Sequence, residues 1–116
     1  MKYALLIYSN EADEPRPDTA EGKQYYEDFM AYTEAINAEG INAGGEALTA
    51  STTATTVRVR NGEVVTTDGP FAETKEQLGG FYLVDCEDLD QALDAAARIP
   101  TAAFGSVEVR PVVVWE

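Results

Sequence analysis

The stretch "VVTTDGPFAETKEQLGGFYLV", residues 64–84, joins two apolar strands through a loop of unusual composition, and it decides how the fold is organised. The first strand runs into DGPF at residues 68–71, a charged loop follows, and a double glycine at residues 79–80 opens the second strand. Glycine and proline in this arrangement indicate a sharp turn. Residues 68–71 either only turn the chain or also form the floor of a site, and the surrounding elements decide between the two.

A second turn lies just upstream, at Asn61 and Gly62. Both residue types tolerate positive φ, and the residues on either side alternate between apolar and polar types. This pattern is typical of a two-residue β-hairpin, whose arms we predict over residues 56–60 and 63–67. In the first arm the valines face one way and the arginines the other.

Two stretches have the periodicity of amphipathic helices. The first helix is predicted to begin at Asp18 or Thr19 and to end at Gly40. The second is predicted to begin at Asp88 and to stop before Pro100. Apolar residues at spacings of three and four form the predicted buried faces: Tyr25, Phe29, Tyr32 and Ile36 in the first helix, and Leu89, Ala92, Leu93 and Ala96 in the second.

Further strands are predicted over residues 2–8, 41–48, 80–85 and 106–115. The glycine pair at residues 44–45 indicates a bulge or a close backbone approach, and Pro111 indicates an edge, a bulge or the end of the last strand. The resulting order is β-α-β-β-β-β-α-β. With the hairpin treated as an insertion, it becomes β-α-β-β-α-β, the α+β ferredoxin-like arrangement, within one domain spanning residues 1–116.

A ferredoxin-like core places both helices on one face of its antiparallel sheet. The first, fifth and last predicted strands carry apolar residues on both faces, and VVVW closes the last one at residues 112–115. Two helices cannot cover both faces of the sheet. We therefore predict a homodimer in which a second copy covers the open face, sheet against sheet.

Charge and residue types argue against several classes of protein. The chain has 21 acidic and 8 basic residues, a net charge of -13, which repels nucleic acid and anionic membranes at long range. Histidine is absent and Cys86 is the only cysteine, so a zinc site and an intrachain disulfide are not expected. No cofactor motif is present. With no apolar run near the length of a membrane span, we predict a cytoplasmic location.

Residues 68–82, DGPFAETKEQLGGFY, resemble the YCII-related family in its DGPF subgroup, and residues 54–58 and 105–111 resemble it as well. The resemblance covers nearly the whole chain and implies a dimeric α+β barrel. A histidine and an aspartate have been proposed as the active pair in that family. Because histidine is absent here, only Asp68 matches the pair. DGPF proteins are also often found beside extracytoplasmic-function sigma factors, which implies a regulatory role.

The functional hypothesis is a pocket for a small polar metabolite between the sheet and the loop that starts at Asp68. A partly buried Asp68 carboxylate at a strand end would serve as acid or base. Cations, hydroxyls and the turn itself would bind the ligand, and the candidates are Tyr8, Arg58, Gly69, Pro70, Phe71, Lys75, Tyr82 and Arg110.

Two alternatives stay open. In the structural alternative Asp68 bonds the following backbone amides, Gly69 supplies a special φ and Phe71 fills the core or the dimer seam. In the functional alternative the chain is a non-catalytic module that binds a partner such as a sigma factor through its acidic surface. The acidic residues between the first strand and the first helix are expected to be a solvated loop and not a calcium site.

Overall fold

The computed structural model describes residues 1–115, and its elements define an α+β protein with two helices and two antiparallel sheets. The strands and helices are β1 (Lys2–Ser9), α1 (Ala20–Ala38), β2 (Asn42–Ala47), β3 (Thr55–Arg60), β4 (Glu63–Asp68), β5 (Gln77–Asp85), α2 (Leu89–Ala97) and β6 (Ser106–Pro111). Short 3-10 helices span Glu11–Asp13, Ser51–Thr53 and Pro100–Ala103. The α+β class predicted from the sequence is confirmed.

The larger sheet has the strand order β2-β5-β1-β6, with every neighbouring pair antiparallel. This order is compatible with a ferredoxin-like fold. The core lies between one face of this sheet and the helices, where Leu5 of β1 and Val84 of β5 are fully buried beside Ile36 of α1. Strands β3 and β4 form a separate two-stranded sheet. Within residues 1–115, neither helix combines the length and the apolar character needed to cross a membrane.

The structure confirms the hairpin that Asn61 and Gly62 predicted. Asn61 has φ 54° and Gly62 has φ 77°, so both turn residues adopt the left-handed conformation that their types favour. Val59 pairs with Val64 across the arms, and each arm is one residue longer than predicted. The valines of β3 therefore share one face and its arginines the other, as expected.

Helix α1 begins and ends where its capping residues predict. The Thr19 hydroxyl accepts a hydrogen bond from the Gly22 amide at 3.0 Å, and Gly40 follows the helix with φ 75°. On the predicted face Tyr32 and Ile36 are buried, while the other two residues are half-buried.

The buried face of α2 differs from the prediction. Its cap is as expected, because Asp88 accepts from the Gln91 amide at 2.9 Å. Leu89 and Leu93, however, are 48% and 46% exposed, whereas the buried residues are the alanines at positions 92, 95 and 96. The prediction is therefore confirmed for Ala92 and Ala96 and wrong for the two leucines, and Ala95 is buried without having been predicted. The helix instead turns its small side chains toward the sheet, and these allow its backbone to approach closely.

The last strand also differs from the prediction. β6 ends at Pro111, which has no amide hydrogen to donate, and residues 112–115 continue beyond it as an exposed segment. Its position at the edge of the sheet is confirmed. The face of β6 turned away from the helices carries Ser106, Glu108 and Arg110, so the expectation of apolar residues on both faces was wrong for this strand.

Within residues 1–115, both helices pack on one face of the larger sheet, and neither covers the opposite face. Leu6 and Tyr8 of β1 and Phe81 and Leu83 of β5 lie on this face, and all four are half-buried. We call this surface the open face. Its central strands carry apolar side chains, as the sequence predicted.

The C-terminal ends of the two helices are joined by one arginine. Arg98 donates from two guanidinium nitrogens to the two Glu39 carboxylate oxygens, each at 2.8 Å, and its Nε lies 3.2 Å from Asp94. The guanidinium carbon is also 6.0 Å from the Tyr32 ring centroid. The Tyr32 hydroxyl donates to the Ala95 carbonyl at 2.8 Å, and burial raises the pKa of this tyrosine.

This contact predicts a pH-dependent stability. The hydrogen bonds from Arg98 hold the pKa of Glu39 below its ordinary value of 4.5. A carboxylate with a lowered folded pKa stabilises the fold above its unfolded pKa, and this contribution is lost as pH falls through the folded value. We expect Arg98→Met to lower the free energy of unfolding at about pH 7, and the difference from wild type to shrink below about pH 4.5. Urea titrations at both pH values measure this, and an equal difference at both would contradict it.

Candidate functional site

The candidate site lies at one end of the larger sheet. In the antiparallel arrangement β1 ends where β5 and β6 begin, and Tyr8 is therefore paired with both Leu78 and Ser106. The loop between β4 and β5, residues 69–76, crosses this end of the sheet. We call it the DGPF loop.

The hairpin holds one side of the DGPF loop through its half-buried face. The Gly69 amide donates to the Ala54 carbonyl at 2.7 Å, and the Thr56 hydroxyl donates to the Gly69 carbonyl at 2.8 Å. Gly69 has φ 94°, a conformation that favours glycine. Arg58 donates to the Phe71 carbonyl at 3.3 Å, so this arginine also contacts the loop backbone.

The sheet holds the other side of the loop. The Gln77 side-chain amide donates to the carbonyls of Ala72 and Thr74 at 3.3 and 3.0 Å. Ser106 at the start of β6 donates to the Glu76 carboxylate at 3.1 Å. Anchors on two sides fix the loop at a distance from the sheet and leave a cavity beneath it.

This cavity has a volume of about 920 Å³, within the range of small-molecule sites. Its walls combine apolar surface with a few polar groups, which is the usual composition of such sites. The lining residues are Tyr8, Asn10, Asp13, Ala54, Thr56, Pro70, Phe71, Ala72, Thr74, Lys75, Glu76, Gln77, Leu78 and Ser106. A smaller cavity of about 250 Å³ adjoins it and shares Asn10, Pro70, Thr74, Lys75 and Gln77.

Four of the residues selected from the sequence meet in the larger cavity: Tyr8, Pro70, Phe71 and Lys75. Two others, Arg58 and Gly69, anchor the loop through the backbone contacts described above. The structure thus places six candidates at or beside one cavity, although they come from three separate segments of the chain.

Tyr82 and Arg110 lie elsewhere. Tyr82 is paired with Leu5 and faces the helices, where its hydroxyl is 2.8 Å from that of Thr33. Arg110 is on the open face but pairs with Ala4, near the start of β1 and so at the opposite end of the sheet from Tyr8.

Asp68 is exposed and not partly buried as expected from the sequence. It pairs with Thr55, so its side chain lies on the hairpin face opposite the one that carries Thr56 and the cavity. Among residues 1–115 its carboxylate has no hydrogen-bond partner, so it does not bond the following amides either. Phe71 is 77% exposed and does not fill the core of this chain.

Several lining residues were not among those predicted from the sequence. Asn10 and Asp13 come from the loop after β1, Ala54 from just before the hairpin, Thr56 from its first strand, and Ser106 from the start of β6. The predicted strand order contained the signal that would have found most of them. In an antiparallel sheet, the end of β1 and the starts of β5 and β6 lie at the same end of the sheet, so the residues beside them come close together.

The loop after β1 is fixed by its acidic residues. Glu11 accepts hydrogen bonds from the Ser51 amide, at 3.0 Å, and from the Ser51 hydroxyl, and Glu14 accepts from the buried Ser9 hydroxyl at 3.0 Å. Across the described residues 1–115, no cluster of three or more His, Cys, Asp or Glu side chains has the geometry to hold a metal ion. Cys86 is buried away from this site, and burial raises the pKa of its thiol.

The fold and this cavity define an α+β protein with an open site at one end of its larger sheet. The model of the YCII-related domain matches residues 1–116. An uncharacterised protein of Rhizobium meliloti (strain 1021) is 41% identical over 122 aligned residues, covering 100% of this chain and 95% of that relative. The chain belongs to the YCII-related family.

Proposed function

We propose that this protein is a homodimer of the DGPF subgroup that binds a small polar metabolite under the DGPF loop. The observation that carries this proposal is the cavity of about 920 Å³ between that loop and the end of the sheet. Its lining residues come from four segments of the chain that the fold brings together, and hydrogen bonds hold the loop above it. A turn that only reversed the chain would not require this set of anchors.

The lining suggests the class of ligand. Lys75 supplies a cation, while the Tyr8 hydroxyl and the Asn10 amide supply neutral hydrogen-bonding groups. Phe71 and Leu78 supply apolar surface. A small carboxylate or phosphate that also carries hydroxyl or amino groups would satisfy this lining. Its anion pairs with Lys75, its donors meet the two acidic side chains of the lining, and its carbon atoms displace water from the apolar walls.

The exposed area supports the dimer. The single chain exposes 8057 Å², whereas a compact monomer of this mass exposes about 6,200 Å². The excess, about 1,900 Å², is more than the roughly 800 Å² that each partner buries in an interface of standard size. The Cα radius of gyration is 16.1 Å against about 13 Å for a compact chain of this length. Sheet-to-sheet pairing into a dimeric α+β barrel of ferredoxin-like protomers would bury this surface.

Ligand binding is tested with a panel of small carboxylates, sugar acids and phosphates, using thermal shift and ligand-observed NMR. We expect at least one compound to raise the melting temperature and to bind in the millimolar range or tighter, which corresponds to about 4 kcal/mol or more. Lys75→Met should weaken the binding of an anionic hit about tenfold by removing one charge-assisted contact. Arg60→Met is the matched control, because Arg60 is on the hairpin but outside the lining. No hit across the panel, or equal loss in both variants, would contradict the proposal and redirect the search to protein partners.

Asp68→Asn tests the acid–base role predicted from the sequence. Because Asp68 lies on the hairpin face that points away from the cavity, we expect this variant to keep both its melting temperature and its ligand affinity. Loss of turnover of a bound compound with an unchanged melting temperature would instead assign the chemistry to Asp68. The comparison therefore decides whether Asp68 takes part in any chemistry of this protein.

A further inference from the structure

The apolar segment 112–115 is the most exposed hydrophobic run in the described chain. Val113, Val114 and Trp115 are 64%, 79% and 88% exposed. The segment leaves the sheet beside the start of β1, where the Val112 amide donates to the Lys2 carbonyl at 2.9 Å. Three valines and a tryptophan in water expose a contiguous apolar surface, which in a soluble protein marks a contact site.

The segment cannot cover the cavity of its own chain. Pro111 pairs with Tyr3 and Ser106 with Tyr8, so five residues of β1, about 17 Å, separate the start of the segment from the cavity. The backbone of Trp115 is four residues past Pro111 and therefore reaches at most about 14 Å from it. It would also have to reverse its direction along the sheet.

Within the part of the chain that the structure describes, the cavity is open to solvent on its outer side. Phe71 is 77% exposed although it lines the cavity, and Leu78 is 37% exposed. Both side chains are apolar and face solvent in the single chain. A ligand held only by the lining residues of one chain would keep one side in water. The site is therefore incomplete without a further surface.

We propose that the partner subunit supplies this wall, with Trp115 of the partner subunit packed against Phe71. The inference rests on the homodimer of the proposed function and specifies its orientation. A two-fold axis that runs between the sheets and across the strands reverses the strand direction of one copy relative to the other. It therefore brings the 112–115 end of one sheet over the cavity end of the other, and symmetry repeats the contact at a second, identical site.

Charge favours the same orientation. Lys2 and Arg110 lie on the open face at the end from which the segment leaves, together with Asp85, whose carboxylate is paired with the terminal amine at 3.1 Å. At the cavity end the carboxylates of Asp13 and Glu76 outnumber the one lysine among the lining residues named above, so this lining has a net negative charge. Reversed strands bring these opposite charges together across the interface, whereas strands running in the same direction would bring like charges together.

Trp115 reports on this contact directly, because it is the only tryptophan of the chain. The probe is its intrinsic emission and acrylamide quenching in the full-length dimer without ligand. We expect Phe71→Ala to shift the emission to the red and to raise the quenching constant several-fold. Tyr26→Ala, which removes an aromatic ring that is 67% exposed on α1, is the control and should leave both values unchanged. Circular dichroism verifies that the variants are folded.

Mixed dimers decide between contacts within and between subunits. The Phe71→Ala chain, which keeps Trp115, is mixed with an excess of the Trp115→Phe chain, which keeps Phe71 and has no tryptophan. If the contact crosses the interface, Trp115 meets an intact Phe71 in the mixed dimer and its emission returns to the wild-type position. If the emission stays red-shifted while native mass spectrometry shows mixed dimers, the proposed contact is wrong.

Sedimentation of the same samples distinguishes a failure of the proposed dimer from a failure of the proposed contact. A monomer overturns the dimer itself, and a dimer with solvent-exposed Trp115 overturns only the contact.

Discussion

The Leu6→Asp variant is expected to be a folded monomer of 12.6 kDa, whereas we expect the wild-type chain to sediment at about twice that mass. Leu6 lies on the open face of a central strand and is half-buried, while its neighbour Leu5 is fully buried on the helix side. The substitution therefore spares the core. In a sheet-to-sheet dimer it would bury two unpaired carboxylates, and each such charge costs several kcal/mol.

Sedimentation velocity at micromolar concentration measures this change in mass. Met30→Asp is the matched control, because Met30 is an apolar residue of α1 that is 48% exposed on the helix side of the molecule. The control is expected to remain a dimer. A wild-type chain that sediments as a 12.6 kDa species would overturn the dimer, and a Leu6→Asp variant that stays dimeric would place the interface elsewhere on the surface.

The Gly45→Ala variant is expected to lose about 3 kcal/mol of unfolding free energy, which lowers the melting temperature by roughly 15 °C. Gly45 of β2 has φ 153°, and a Cβ there would lie 2.5 Å from the Phe81 carbonyl oxygen and 3.0 Å from the Tyr82 Cα. Both atoms belong to the β5 backbone, which cannot move without breaking its pairing with β1. The strain therefore has to be taken up by the sheet.

Gly79→Ala is the matched control for this prediction. Gly79 lies on β5 in the same sheet, and a Cβ there would find its nearest atoms at 4.0 Å, an ordinary contact. We expect this variant to stay within about 1 kcal/mol of wild type. Urea and thermal unfolding of the three proteins measure the difference. Equal stability of the two variants would contradict the prediction and show that β2 adapts to a side chain at position 45.

Local signals explain why much of the fold was predictable. Asn61 and Gly62 form the expected hairpin turn because their own φ preferences decide it. Thr19 and Asp88 cap the helices because a side-chain oxygen needs only an amide two or three residues away. Features of this kind are encoded within a few residues.

The candidate site was predictable in part for the same reason. The DGPF loop and Lys75 were identified because they are contiguous in the motif. Tyr82 and Arg110 were predicted to join the same site because of their residue types. The positions of these two side chains, however, depend on strand register. Each strand residue points to one face, so the pairing of Tyr82 with Leu5 directs it toward the helices and away from the cavity.

The sequence by itself determined the number and type of the elements, the hairpin, the helix caps and membership of the YCII-related family. It also indicated that apolar side chains remain on a face that the helices do not cover. Only the tertiary structure decided that alanines and not leucines of α2 face the sheet, that β6 ends at Pro111, and that Asp68 lies on the outer face of the hairpin. These outcomes depend on packing and register between segments far apart in the chain. Such contacts leave no local pattern, because no short stretch of sequence contains both partners.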